Sequence, residues 1–91
     1  MDVRLAFLLS RAEEALPRLQ ALGLGAEVYL DPALLEEDAL FQSLRRRLPG
    51  RVSVHLPFWN LDLLSPDPEV RGLTLRRLLF GLDRAAELGA D

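Results

Sequence analysis

The side chains best suited to chemistry stand one to a run: three short β-type stretches of this 91-residue sequence end on Ser10, Asp31 and His55. His55 is the only histidine. Its position at the end of a buried strand makes it the sharpest candidate, because neutral imidazole binds a divalent metal or hydrogen-bonds a substrate hydroxyl. One histidine does not make a metal site, so further ligands would have to come from outside these residues. Ser10 reads more simply as a helix cap, and Asp31, standing before Pro32, as the start of a turn. Glu27 shares strand parity with Asp31; it is either a site carboxylate, a salt-bridge partner or an exposed strand start. After His55 come Phe58, Trp59 and Asn60. An indole at a site mouth packs on a sugar face and an amide binds hydroxyls, although Phe58 and Trp59 would serve equally well to plug a core. No serine/histidine/aspartate triad and no phosphate-binding P-loop can be assembled.

The elements that must position these residues alternate strand with helix. The first run, Val3-Arg4-Leu5-Ala6-Phe7-Leu8-Leu9, is almost continuously apolar, as expected of a strand buried on both faces. Ser10 with Glu13 three residues later has capping-box spacing, which predicts a helix over 11–22 carrying Ala12, Ala15, Leu16, Leu19 and Leu22 on one face. Pro17 inside it should kink or split that helix. The second strand is expected over 26–31, bounded by Gly25 and Pro32, and a helix over 36–48 follows from Leu40, Phe41, Leu44 and Leu48. Arg45, Arg46 and Arg47 suit its last turn, at the negative end of the helix dipole. The third strand is expected over 51–55. A helix over 67–88 then opens on Asp67 as N-cap and Pro68 as first helical residue, and closes at Gly89. Leu75, Leu78, Leu79, Leu82, Ala85, Ala86 and Leu88 give it a broad apolar face.

Such alternation implies parallel strands joined by right-handed crossovers. An open doubly wound sheet would satisfy it too, but Leu9-Ser10-Arg11-Ala12 is no glycine-rich phosphate loop. The expected class is therefore α/β: parallel βα units, the first three of a (β/α)8 TIM-type barrel. In such barrels the active site lies at the carboxyl ends of the strands. Ninety-one residues allow one domain, 1–91, and a complete barrel takes about 250. The ending Leu88-Gly89-Ala90-Asp91 reads as a shortened form of Leu22-Gly23-Leu24-Gly25-Ala26-Glu27, the lead-in to strand two. The expectation is an incomplete, amino-terminal part of a barrel, needing the remainder of the barrel or a homo-oligomer as its partner.

Composition narrows the function classes further. With 49% hydrophobic and 27% charged residues the chain is built to fold. Its apolar runs are too short to span a bilayer and no signal peptide is evident, so no membrane partner is expected and the cytoplasm is the default compartment. The absence of cysteine removes disulfides and thiolate metal sites. A net charge of −3 speaks against a nucleic-acid partner, because phosphate contacts need basic residues.

From His55 onward the residues resemble a known family. His55-Leu56-Pro57-Phe58-Trp59-Asn60-Leu61-Asp62-Leu63-Leu64-Ser65, then Pro66 to Arg71, then Ala85-Ala86-Glu87-Leu88-Gly89-Ala90, are similar to the xylose isomerase-like barrel superfamily. Gly25-Ala26-Glu27-Val28-Tyr29-Leu30-Asp31 looks like the family's second unit. The resemblance covers the whole chain and about a third of a typical member. It implies a divalent metal (zinc, manganese or magnesium) held by histidines and carboxylates at the strand ends, mostly on later strands. His55 would match a zinc ligand of the endonuclease branch, or face the substrate pocket in the isomerase branch. Glu27 would match a carboxylate of the second strand. Two functions follow for the complete barrel. One is isomerisation or epimerisation of a sugar or sugar phosphate, in which His55, Trp59, Asn60 and Glu27 contact substrate. The other is the endonuclease IV-type cleavage of apurinic/apyrimidinic DNA. A third reading is a non-catalytic fragment completed by association; alone, residues 1–91 are expected to be inactive.

Overall fold

The computed structural model describes residues 2–56 and 62–91. Three strands, β1 (Arg4–Leu8), β2 (Gly25–Tyr29) and β3 (Val52–His55), alternate with three helices, α1 (Ala12–Leu22), α2 (Asp38–Arg47) and α3 (Pro68–Glu87). The strands form one parallel sheet in the order β1-β2-β3. The expected strands, helices and parallel pairing are therefore present, each within a residue or two of its expected bounds.

Alternation along each strand sorts the sheet into two unlike faces. Leu5, Phe7 and Leu9, then Ala26, Val28 and Leu30, then Val52, Val54 and Leu56 all belong to a single hydrophobic core. Helices α1 and α2 close it with Ala12, Ala15, Leu16 and Leu19, and with Phe41 and Leu44. The opposite face presents Arg4, Ala6 and Leu8, then Gly25, Glu27 and Tyr29, then Ser53 and His55. Among the described residues no helix covers it, and Ala6, Leu8 and His55 are exposed there. β1 thus reads as nearly all apolar although only one of its faces is packed.

The helix starts differ from expectation in one place. Ser10 makes no side-chain cap; β1 passes into a 3-10 turn, Leu9–Arg11, and α1 begins at Ala12 with Arg11 before it. The turn satisfies Ala12 N–H at the Leu9 carbonyl, leaving a serine hydroxyl nothing to cap. Nor does Pro17 split α1, which runs unbroken to the left-handed Gly23 (φ 63°). By contrast Asp31 initiates a turn as expected: its carboxylate accepts from the Ala33 N–H at 3.0 Å. Asp67 caps α3 by accepting from the Glu69 N–H at 2.9 Å, with Pro68 as first residue.

Helix α3 departs from its expected packing. Its buried residues are Thr74, Gly81 and Arg84, whereas Leu75, Leu79 and Leu82 are 51–53% exposed. The fastening is Arg84, only 4% exposed. Its Nε donates to the Leu35 carbonyl at 2.7 Å, and its other nitrogens donate to Asp38 and Glu87. Its guanidinium lies over the rings of Phe41 (4.5 Å) and Phe80 (5.1 Å). An arginine, not the leucine stripe, holds α3 to α2.

Candidate functional site

The open face of the sheet is built in rows by the strand register. Arg4 pairs with Gly25, Ala6 with Glu27 and Leu8 with Tyr29. Glu27 in turn pairs with Ser53, and Tyr29 with His55. At the carboxyl end the top row is therefore Leu8, Tyr29 and His55, each the last residue of its strand. The row beneath is Ala6, Glu27 and Ser53. Of the polar groups expected at the site, Glu27 and His55 come to the same face of the sheet, on adjacent rows.

His55 contacts Tyr29 and the Leu56 backbone. Its ring stacks on Tyr29 with centroids 4.8 Å apart and planes inclined by 15°. Its Nδ1 lies 2.9 Å from the Leu56 carbonyl oxygen. A carbonyl only accepts, so Nδ1 carries the proton and, in the neutral ring, the lone pair is on Nε2. The strand beneath is pinned as well, because the Leu30 N–H donates to the His55 carbonyl at 3.0 Å. Glu27, half-buried in the middle of β2, makes no ion pair among the described residues. Beside Tyr29, on the β1 side, a shallow concavity of about 270 Å³ is lined by Ala6, Phe7, Leu8 and Tyr29. An apolar wall and a polar edge thus share the carboxyl end of the face.

The other candidates fall elsewhere. Asp31 spends its carboxylate on the turn, and Ser10 is exposed in the 3-10 turn after β1. Phe58, Trp59 and Asn60 lie outside the described residues. Tyr29 was missed by sequence reasoning, although its parity with Glu27 placed it on the same face.

At the amino end the same face holds an ionic cluster that also went unread. Arg4 donates through both terminal nitrogens to Asp91, at 2.8 Å each, and also to Asp2. Arg51 approaches Asp91 at 3.5 Å. Arg4 holds both carboxyls below the usual aspartate range by hydrogen bonding, against some desolvation. Gly25 makes room for this: a Cβ there would sit 3.1 Å from Arg4 Cγ and 2.7 Å from the Arg51 carbonyl oxygen. The pairing joins residues 87 positions apart, a separation at which no local pattern operates.

As a metal centre the donor set is partial. A histidine whose Nδ1–H binds a backbone carbonyl has the orientation usual for ligation through Nε2. Among the described residues, however, no group of three histidine, aspartate or glutamate side chains is gathered to hold an ion.

No family model matches the chain, and no curated protein matches it either. Among solved structures the chain is similar to the TTHB071 protein from Thermus thermophilus, described as soaked with ZnCl2. The two are 94% identical with a TM-score of 0.95, over all of this chain and 37% of that one. This chain thus spans little more than a third of the length of the solved protein it matches. Among the described residues no helix is long and apolar enough to cross a membrane.

Proposed function

We propose that residues 1–91 are the first three βα units of a xylose isomerase-like (β/α)8 barrel, and that the complete protein is a divalent-metal-dependent isomerase or epimerase of sugars or sugar phosphates. Two observations support the barrel. A chain of which 91 residues make up 37% has about 250 residues, the ordinary size of that fold. The Asp91 N–H also donates to the Val52 carbonyl at 2.9 Å, in the manner of the Gly25 N–H to Val3. After α3 the backbone therefore returns to the outer edge of β3. In the dinucleotide-binding order the fourth strand would return beside β1 instead.

The observation that carries the functional reading is the shared face of Glu27 and His55: His55 ends β3 at the carboxyl edge, where barrels of this kind do their chemistry, and Glu27 stands on the row beneath. His55 would contribute one ligand, through Nε2, to a metal centre completed by later strands, or hydrogen-bond a substrate hydroxyl from the same place. Such an ion, when bound, polarises a carbonyl and its neighbouring hydroxyl. Glu27 accepts hydrogen bonds from substrate hydroxyls, and the resemblance assigns substrate contact to Trp59 and Asn60 as well. The ZnCl2 soak of the solved protein makes zinc the first ion to test, ahead of manganese and magnesium.

The test uses the full-length polypeptide, stripped of metal and reloaded. Restored interconversion of aldose and ketose sugars or their phosphates is the expected result. His55→Ala should lower turnover or metal content far more than it lowers stability; normal turnover with normal metal loading would leave His55 a structural role. Cleavage of abasic DNA in place of sugar isomerisation would establish the endonuclease reading.

A further inference from the structure

We infer that Tyr29 is a positioning residue: it sets the plane of the His55 imidazole, while the Leu56 carbonyl sets which ring nitrogen carries the proton. The argument begins with the sheet. Tyr29 and His55 are paired residues of adjacent parallel strands, so their side chains leave the same face side by side. Neighbouring strands lie about 4.7–4.9 Å apart. The ring centroids are 4.8 Å apart, so the backbone spacing itself delivers the stack. Tyr29 is a firm support because it is half-buried and has Leu8 as its register partner on the other side.

The two restraints on His55 are complementary. Stacking at 15° between planes fixes the tilt of the imidazole, yet a ring rotated by half a turn would stack equally well. Only one of those two orientations presents Nδ1–H to the Leu56 oxygen, at 2.9 Å. The carbonyl breaks the degeneracy that the stack leaves, and the stack holds the ring where the carbonyl can be reached. Aromatic pairing of this kind adds to what burial contributes and biases a side chain at a strand end toward one rotamer. The functional consequence, a fixed direction for Nε2, rests on the reading of His55 as a ligand; the stacking claim itself does not.

The experiment is NMR of isotope-labelled histidine in the full-length protein, with the His55 signals assigned by their loss in His55→Gln. In the wild type His55 should appear as the Nδ1–H tautomer, with its ring protons displaced by the tyrosine ring current. Tyr29→Phe keeps the ring and should keep both signatures. Tyr29→Leu should lose the ring-current displacement and show a mixture of tautomers, with a native amide spectrum elsewhere. Zinc affinity should fall by about 10–100-fold in Tyr29→Leu, the usual penalty for removing an outer-shell partner, and be restored in Tyr29→Phe. Undisplaced His55 protons in the wild type would overturn the proposal without recourse to any variant. Unchanged signals in Tyr29→Leu would overturn it too. If His55→Gln leaves zinc binding intact, the metal reading fails, while the spectra still decide the role of Tyr29.

Discussion

At the residue scale, the side chains that matter most to this fold are those whose neighbours come from far away in sequence. Arg84 is one. Its guanidinium is sandwiched by Phe41 and Phe80 and bonded to the Leu35 carbonyl, so a lysine, which has neither plane nor fork, cannot replace it. Arg84→Lys should destabilise the protein by about 2–3 kcal/mol, summing lost cation–π contact and one buried hydrogen bond. A urea midpoint unchanged by the substitution would refute the clasp. Two glycines make a paired test. Gly25→Ala drives a methyl against the Arg51 backbone at 2.7 Å and should cost about 1–3 kcal/mol. Gly72→Ala lies inside α3, where among the described residues the one near atom is the end of the flexible Arg76 side chain at 3.4 Å, and should stabilise by up to about 1 kcal/mol. Thermal melts of the two variants should move in opposite directions.

At the scale of elements, the first and last segments are tied together by charge. Asp2 precedes β1, Arg4 begins it, Arg51 precedes β3, and Asp91 pairs with β3 beyond α3. The Asp2 and Asp91 carboxyls are held below their ordinary values, so their contribution is present above the unfolded value, about pH 4. It fades as the pH falls through the depressed folded values, because protonation removes the partner of Arg4. The melting temperature of Arg4→Gln should therefore lie below that of the wild type at neutral pH and low salt. The gap should close on acidification to about pH 2–3, and narrow in high salt because the cluster is solvent-exposed. A gap that widened in acid would mean that Arg4 acts by packing alone.

At the scale of the molecule, the structure has more surface than its mass calls for. Its radius of gyration is 14.0 Å, against about 12 Å for a compact domain of 91 residues. Its accessible surface is 5863 Å², against about 5300 Å² for a monomer of 10.2 kDa. The excess has an address: one bare sheet face, the outer edges of β1 and β3, and the stripe Leu75, Leu79 and Leu82. Exposed apolar area and unpaired strand edges promote association. Purified residues 1–91 should accordingly sediment as an oligomer and show no isomerase activity. Replacing the three leucines of the stripe with glutamine should shift the population toward smaller species without loss of helix content. A cooperatively folding 91-residue monomer would count against the truncated-barrel reading.

The sequence alone settled the order and kind of the elements, because those depend on neighbours within a turn or two. Short β-type runs marked the strands, Asp67-Pro68 opened α3, and Asp31-Pro32 made a turn. It also put His55 at a strand end and Glu27 on the parity of Tyr29. What required the tertiary structure was every relation across strands or between helices. Only the register makes Tyr29 the neighbour of His55, and only the packing decides that Arg84, not the leucines, faces α2. An amphipathic pattern states that a face is apolar but not which partner arrives to cover it. That partner is chosen by contacts between segments tens of residues apart, which compete with one another only once the chain has folded.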